Sequence, residues 1–245
     1  MTKIAVAGKG GTGKTVLSGL IIISLLRNGK KPVLAVDADP NSTLSEILGV
    51  REPRSVVEIV DEIDKIKNNL PAGIEKSKYL EFQLQEAIEE STDFDLLVMG
   101  RTEGPGCYCY ANHLLREYME RIEKNYPFVV MDNEAGMEHL SRRTTRNIDI
   151  LFIVSLANKV SLKSAERIYR MSKELDLNIK KTFLVINEFT GVRIPRDFKL
   201  FLEPLFTLPH DDNILTLIEE EKGLFEIPSS SPAYRIVKEN IDKVM

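Results

Sequence analysis

Gly8-Lys9-Gly10-Gly11-Thr12-Gly13-Lys14-Thr15 lies between an apolar run, Ile4-Ala5-Val6-Ala7, and a second apolar stretch, Val16 to Leu26. Gly8, Gly13, Lys14 and Thr15 satisfy G-x-x-x-x-G-K-[ST]. In such a loop backbone N–H groups wrap a β-phosphate, the lysine reaches the β/γ oxygens and the hydroxyl meets Mg²⁺. A helix opening at Lys14 adds the positive end of its dipole at the same place. The candidate phosphate contacts are therefore Gly10, Gly11, Thr12, Gly13, Lys14, Thr15 and the backbone N–H of Val16, with ATP or ADP as ligand. Gly8, Gly10 and Gly13 also fit the dinucleotide pattern G-x-G-x-x-G. Lys14-Thr15 argues against that reading, because a dinucleotide fold packs small or apolar residues there, whereas a cation and a hydroxyl suit a triphosphate and its metal.

A second chemical constellation is Cys107-Tyr108-Cys109. It holds both cysteines of the chain and follows Gly104-Pro105-Gly106. The glycines and proline disfavour a strand at that point, and a disulfide across one residue would be strained. Two thiolates near a helix N-terminus have depressed pKa values and suit a borderline metal such as Ni²⁺ or Zn²⁺. A C-x-C pair supplies two ligands where a tetrahedral or square-planar site wants four, and a two-fold dimer would supply the others. His113 is either an auxiliary ligand or a solvent-facing or core histidine.

Carboxylates complete the set. Asp37-Ala38-Asp39-Pro40 follows an apolar strand pattern, Pro32–Val36, and Asp37 alone also fits a turn. Apolar Phe128–Met131 closes on Asp132, the pattern of a carboxylate that holds Mg²⁺ through water. Gly136 then permits the backbone to swing. Glu134 and His139 fit packing of that segment as well as chemistry.

The elements that must position these residues read as alternating strands and helices. Strand Lys3–Ala7, helix Lys14–Asn28 with a Gly29 stop, and strand Pro32–Val36 make a right-handed βαβ unit. Helical patches are expected at Ser55–Ile66, Lys76–Glu90 and Ala111–Glu123, with a strand at Asp95–Met99. Strand Ile150–Val154, helix Lys159–Leu175 and strand Thr182–Ile186 continue the alternation, and Ser231-Pro232 opens a last helix to about Val244. The fold class is α/β: a doubly wound, mostly parallel sheet flanked by helices. Ligands of such sheets bind at the carboxyl ends of the strands, which puts the carboxylates beside the phosphate loop.

At 245 residues and 43% hydrophobic content the chain can bury one large core, and a single domain over 1–245 is expected. A net charge of −4 without basic runs argues against nucleic acid as a partner. The longest apolar stretch is too short to span a bilayer, and no signal peptide is expected before the strand at Lys3. The last helix alternates charge signs and lacks the basic face of a membrane-surface helix. With two cysteines and no disulfide framework, a cytoplasmic location is expected, with no membrane partner.

Lys9, giving G-K-G-G-T-G-K-T, resembles the deviant P-loop of the MinD, ArsA and nitrogenase iron-protein class of dimeric ATPases. That resemblance implies a homodimer in which Lys9 contacts the phosphates of the partner subunit. It also implies that Asp39 orients or deprotonates the attacking water, and that the segment after Asp132 acts as a second switch. It assigns Asn187 to the adenine edge and Pro209-His210-Asp211 to the loop closing over the base, although Asn187 also fits a strand-end cap. Lys9, Lys14 and Asp39 are thus the catalytic candidates, and Thr15, Asp39 and Asp132 the Mg²⁺ candidates. One departure is Val16, where the class commonly has a second threonine.

Glu103-Gly104-Pro105-Gly106-Cys107-Tyr108-Cys109 with Asn112-His113-Leu114-Leu115-Arg116 further resembles the metal-binding region of CooC-type nickel-insertion ATPases. This likeness implies an ATP-dependent accessory protein that matures a nickel-dependent carbon monoxide dehydrogenase or acetyl-CoA synthase. Two alternatives stay open: a MinD/ParA-like regulatory switch with structural zinc, and an iron–sulfur carrier ATPase.

Overall fold

The computed structural model describes residues 1–65, 76–100, 118–135, 147–174, 177–187, 193–195 and 197–245. Strands β1 (Thr2–Gly8), β2 (Val33–Ala38), β3 (Ile88–Glu90), β4 (Phe94–Val98), β5 (Phe128–Ala135), β6 (Asn147–Leu156), β7 (Asn178–Asn187) and β8 (Pro204–Leu208) form one sheet. Its order is β3-β4-β2-β5-β1-β6-β7-β8. All pairings are parallel except that of β3 with β4, as the alternation of strands and helices demands.

The helices are α1 (Lys14–Arg27), α2 (Leu44–Leu48), α3 (Val56–Lys65), α4 (Lys76–Glu86), α5 (Lys159–Glu174), α6 (Asp212–Glu219) and α7 (Pro232–Val244). Residues 118–123 are helical too. Strand residues alternate between two cores. Ile4 and Val6 join Leu17, Leu20, Leu44 and Val237 under α1, α2, α6 and α7, whereas Ala5 and Ala7 join Ile59, Leu84, Ile122 and Leu162 under α3, α4, residues 118–123 and α5. Strands covered on both faces read as unbroken apolar runs, which is the pattern of Ile4–Ala7 and Leu151–Val154. Each fully buried Leu or Ile contributes about 1.5–3 kcal/mol to holding the helices on the sheet.

Leaving β1, the chain moves towards β2 and β4, returns to insert β5 between β2 and β1, and then continues on the other side with β6, β7 and β8. That reversal opens a crevice at the carboxyl ends of β1, β5 and β6, where open α/β sheets bind ligands. Register sharpens the placement, because Asp132 lies beside both Val6 and Asp37, and Gly8 beside Val154.

Several expected elements change in the structure. The pattern of Lys76–Glu90 suggests one helix, yet α4 ends at Glu86 and Ile88–Glu90 pairs antiparallel with Asp95–Leu97 of β4. The pairing is a local hairpin through residues 91–93, closed by the Ser91 N–H on the Phe94 carbonyl at 3.0 Å, and three residues are too few to show a strand period; a strand this short and acidic protects the sheet edge. Strand β5 runs on to Ala135 and β7 to Asn187, while α2, β8 and α6 lie outside the expected elements. The start of the last helix agrees: Ser231 caps α7 by accepting from the Tyr234 N–H at 3.1 Å.

Candidate functional site

Strand β1 delivers the glycine-rich loop and α1 starts directly after it. Gly13 sits at the helix N-cap with φ 87° and makes no side-chain cap. A Cβ there would lie 2.4 Å from Asn187 Nδ2, so both conformation and space require glycine. Gly8 is equally constrained, because an added Cβ would lie 2.5 Å from the Val154 carbonyl. The first turn of α1 holds no acidic residue, which leaves its dipole and free N–H groups for an anion. Thr12 braces the loop, its hydroxyl donating to the Lys9 carbonyl at 2.8 Å, while the Lys9 side chain is exposed at the rim beside Gly10 and Gly11.

Lys14 is buried and its Nζ lies 3.9 Å from Asp39 Oδ2. Asp39 is held in place by Asp37, whose Oδ1 accepts from the Asp39 N–H at 3.0 Å and whose Oδ2 accepts from the Leu44 N–H at 2.8 Å. Asp37 therefore does what a turn-forming aspartate does: it folds the Asp39 loop and caps α2. Burial pushes its carboxyl up to about 7; the Leu44 N–H opposes the shift and the neighbouring Asp132 adds to it.

Asp132 ends the apolar part of β5, fully buried. Its Oδ1 accepts from the Ser18 hydroxyl at 3.0 Å, and its Oδ2 has no hydrogen-bond partner. Burial raises its carboxyl to about 6, against the hydroxyl of Thr15, the charge of Lys14 and the hydroxyl of Ser18. Asn133 next to it donates to the Val6 carbonyl at 3.0 Å, satisfying β1 where its register with β5 shifts between Val6 and Gly8.

Among the described residues no group of three or more His, Cys, Asp or Glu side chains is placed to hold a metal by itself. Mg²⁺ in nucleotide sites keeps several waters and takes one or two protein ligands plus phosphate oxygens. The Thr15 hydroxyl and the unpartnered Asp132 Oδ2 fit that role, and Asp39 lies across from Lys14 at the same edge. Lys14 acts on two carboxylates there, Asp39 at 3.9 Å and Asp132.

On the other side of the loop a cavity of about 240 Å³ opens at the ends of β6, β7 and β8. Asn187, Pro209 and Asp211 line it, as does Val16, together with Leu20, Leu156, Leu208 and Ile214. Its lining is largely apolar and adjoins the phosphate loop, a setting able to hold a nucleobase. Asn187 Nδ2 donates to the Thr12 carbonyl at 3.0 Å, tying the wall of the slot to the loop. Asp211 spends its carboxylate on structure: Oδ1 accepts from the Asn213 N–H at 3.0 Å and Oδ2 from Ser231 at 2.6 Å and the Ala233 N–H at 3.0 Å. His210 is exposed, and its Nε2 lies 2.9 Å from Asp212 Oδ1.

Sequence reasoning overlooked Ser18, Asn133 and the apolar wall of the slot. A serine inside the otherwise apolar Val16–Leu26 run was the available signal for the first. Cys107, Cys109, His113, Gly136 and His139 lie outside the described residues, as does the side chain of Glu134.

Comparison with known proteins gives a consistent result. The model of the CobQ/CobB/MinD/ParA nucleotide binding domain family matches residues 3–232. The ATP-binding protein MJ0685 of Methanocaldococcus jannaschii is 38% identical, over 99% of this chain and 98% of its own length. The carbon monoxide dehydrogenase accessory protein CooC of Rhodospirillum rubrum is 31% identical, over 77% of this chain and 75% of its own. Among solved structures, the cell division ATPase MinD of Pyrococcus furiosus superposes with a TM-score of 0.70 at 21% identity, covering 100% of this chain and 99% of that one, a likeness of fold.

Proposed function

The chain belongs to the CobQ/CobB/MinD/ParA nucleotide-binding family and is an ATPase, and on that premise we propose that it uses ATP to drive the dimerisation that loads and releases a metal ion for a nickel enzyme. The client on this reading is a nickel-dependent carbon monoxide dehydrogenase or acetyl-CoA synthase. The observation that carries it is the pairing, in one chain, of the lysine-rich phosphate loop with Cys107-Tyr108-Cys109, in a sequence 31% identical to a CooC over three quarters of both chains.

The chemistry falls to residues at the sheet edge. Lys14 neutralises the β/γ-phosphate oxygens, and the N–H groups from Gly10 to Val16 wrap them. Mg²⁺, when bound with nucleotide through Thr15 and Asp132, neutralises phosphate charge. Asp39, held by Asp37, accepts a hydrogen bond from the attacking water and orients it. Exposed Lys9 acts across the dimer on the nucleotide of the partner subunit. Asn187 and the Pro209–Asp211 segment select the base, Asp211 by shaping the slot rather than by touching the ligand. Ni²⁺ or Zn²⁺ is cargo, held by Cys107 and Cys109 from two subunits.

A MinD/ParA-like switch is the second reading, favoured by the fold. Helix α7 buries Ala233, Tyr234, Val237 and Ile241 against the α1 side of the sheet, so its own apolar face is already covered. No helix among the described residues is long and apolar enough to cross a membrane.

Equilibrium dialysis with Ni²⁺ and sedimentation with and without ATP separate the readings. Metal delivery expects one ion per two chains, bound with the ATP dimer and lost in the Cys107→Ser/Cys109→Ser variant, with ATP binding intact. One ion per monomer retained in that variant overturns it. Tight zinc indifferent to nucleotide supports the switch, and iron with a brown colour after anaerobic purification supports the iron–sulfur carrier.

A further inference from the structure

Helix α1 carries two buried serines in an apolar environment, Ser18 and Ser24, and they differ in one respect. The Ser24 hydroxyl has no hydrogen-bond partner, whereas the Ser18 oxygen lies 3.0 Å from the Lys14 carbonyl and 3.0 Å from Asp132 Oδ1. Both residues are 0% exposed. A buried serine in a helix ordinarily returns its proton to the carbonyl one turn back. Here its single proton has two acceptors, and an ionised carboxylate is the stronger. Were the proton given to Lys14, a hydroxyl lone pair would face the buried carboxylate.

We propose that Ser18 is a positioning residue for Asp132: its hydroxyl occupies Oδ1 and fixes the rotation of the carboxylate, leaving Oδ2 as the oxygen that serves the metal–nucleotide complex. The terminal torsion of an aspartate is broad and two-fold, so an unrestrained carboxylate would sample many orientations. Strand β5 fixes only the backbone of Asp132; the Thr15 hydroxyl also stabilises the carboxylate, but Ser18 supplies the 3.0 Å hydrogen bond to Oδ1. Asn133 cannot substitute, because its amide is committed to the Val6 and Met131 carbonyls. Ser18 comes from α1, the helix whose first turn carries Lys14 and Thr15, so one rigid element sets the phosphate-binding lysine, the metal-binding hydroxyl and the orientation of the carboxylate. This assignment rests on the reading of Asp132 as the partner of Mg²⁺.

The test measures the dissociation constant of a fluorescent ADP analogue with excess Mg²⁺ and again with EDTA. The ratio of the two is the Mg²⁺ contribution to nucleotide binding, which general damage to the fold does not move selectively. Ser18→Ala is expected to bind as the unaltered protein does in EDTA and to lose about tenfold of the Mg²⁺ enhancement, the scale of one hydrogen bond to a charged group. Ser24→Ala, an equally buried change in the same helix, is expected to keep the full enhancement. Asp132→Asn is expected to lose most of it. Full enhancement in Ser18→Ala alongside its loss in Asp132→Asn overturns the role of Ser18 alone. Equal losses in Ser18→Ala and Ser24→Ala overturn it as well, by showing an unspecific effect of the helix. Full enhancement in Asp132→Asn overturns the underlying reading of Asp132.

Discussion

The two ends of β1 carry charges arranged on opposite principles. At the amino end the Lys3 ammonium, 2% exposed, meets the Glu123 carboxylate directly. The Lys3 N–H donates to Asp149 Oδ2 at 2.7 Å, Lys180 lies 2.7 Å from Asp149 Oδ1, and the Tyr126 hydroxyl donates to Asp95. Each carboxylate there faces a cation or a hydroxyl. At the carboxyl end, where β1 runs into the loop, Lys14 lies 3.9 Å from Asp39 and also acts on Asp132, while Asp37 faces backbone N–H groups. The ionisation of the groups follows burial as well as pairing. Burial tends to push the Asp149 carboxyl up, but Lys180 and the Lys3 N–H outweigh it and hold it below the ordinary range. Burial outweighs the ion pair at Glu123, which is raised, and at Lys3, which is lowered, and it raises Asp37 and Asp132 to about 7 and about 6. The amino end pairs its charges within the chain, with Glu123 Oε1 left without a hydrogen-bond partner, whereas among the described residues the carboxyl end has one ion pair, Lys14 with Asp39.

Breaking the paired end should produce the largest effect. Lys3→Met leaves the buried Glu123 without its cation and is expected to cost about 3–5 kcal/mol in urea unfolding, with most of the loss recovered in Lys3→Met/Glu123→Leu. Nucleotide affinity of the folded protein should stay unchanged. A loss below about 1 kcal/mol would show that the amino end is not the closed pair described here.

The open end should respond the other way, in chemistry more than in stability. Lys14→Ala is expected to reduce ATP turnover by roughly 10²–10³, the scale of losing one preorganised stabiliser of transition-state charge. The cost in unfolding should be well below that of Lys3→Met. Steady-state phosphate release and urea unfolding of the same preparation check both halves, and turnover within a few-fold of the unaltered protein would remove Lys14 from the mechanism.

A smaller effect is expected at the cavity beside the phosphate loop. Asn187→Ala removes the amide that ties the slot to the Thr12 carbonyl, and should weaken ATP binding about tenfold, measured by titration calorimetry. Unchanged affinity, together with unchanged preference for ATP over GTP, would reduce Asn187 to a strand-end cap.

Asp211 belongs to the paired class although it lines the ligand slot. Burial pushes its carboxyl up, but the Ser231 hydroxyl, the Ala233 N–H and Asn213 outweigh it and hold it below the ordinary carboxyl range. Its stabilising contribution is therefore complete above the ordinary value and is lost as pH falls through the lower folded value. Asp211→Ala should cost about 1 kcal/mol, as for a lost helix cap, constant from neutral pH down to about 4 and shrinking only below. Urea unfolding of both proteins across that range checks it. A difference that shrinks between pH 7 and 5 would contradict the arrangement.

Local pattern was sufficient for much of this molecule. The spacing of Gly8, Gly13, Lys14 and Thr15, the unbroken apolar runs, and carboxylates placed just after them specify a parallel α/β sheet with a phosphate loop, because backbone conformation and burial act over a few residues. What the folded chain alone decided depends on strand order and register. The insertion of β5 between β1 and β2 places Asp132 beside Asp37, and the register of β6, β7 and β8 aligns Leu156, Asn187 and Leu208 into one slot. Local periodicity fixed neither the edge pairing of Ile88–Glu90 nor the choice of Asp211 as a double cap. The bond from Ser18 to Asp132 joins residues 114 positions apart, and only packing α1 on β5 brings them together. Hydrogen bonds act over about 3 Å in space and take no account of separation along the chain, which is why such partners are read from the fold.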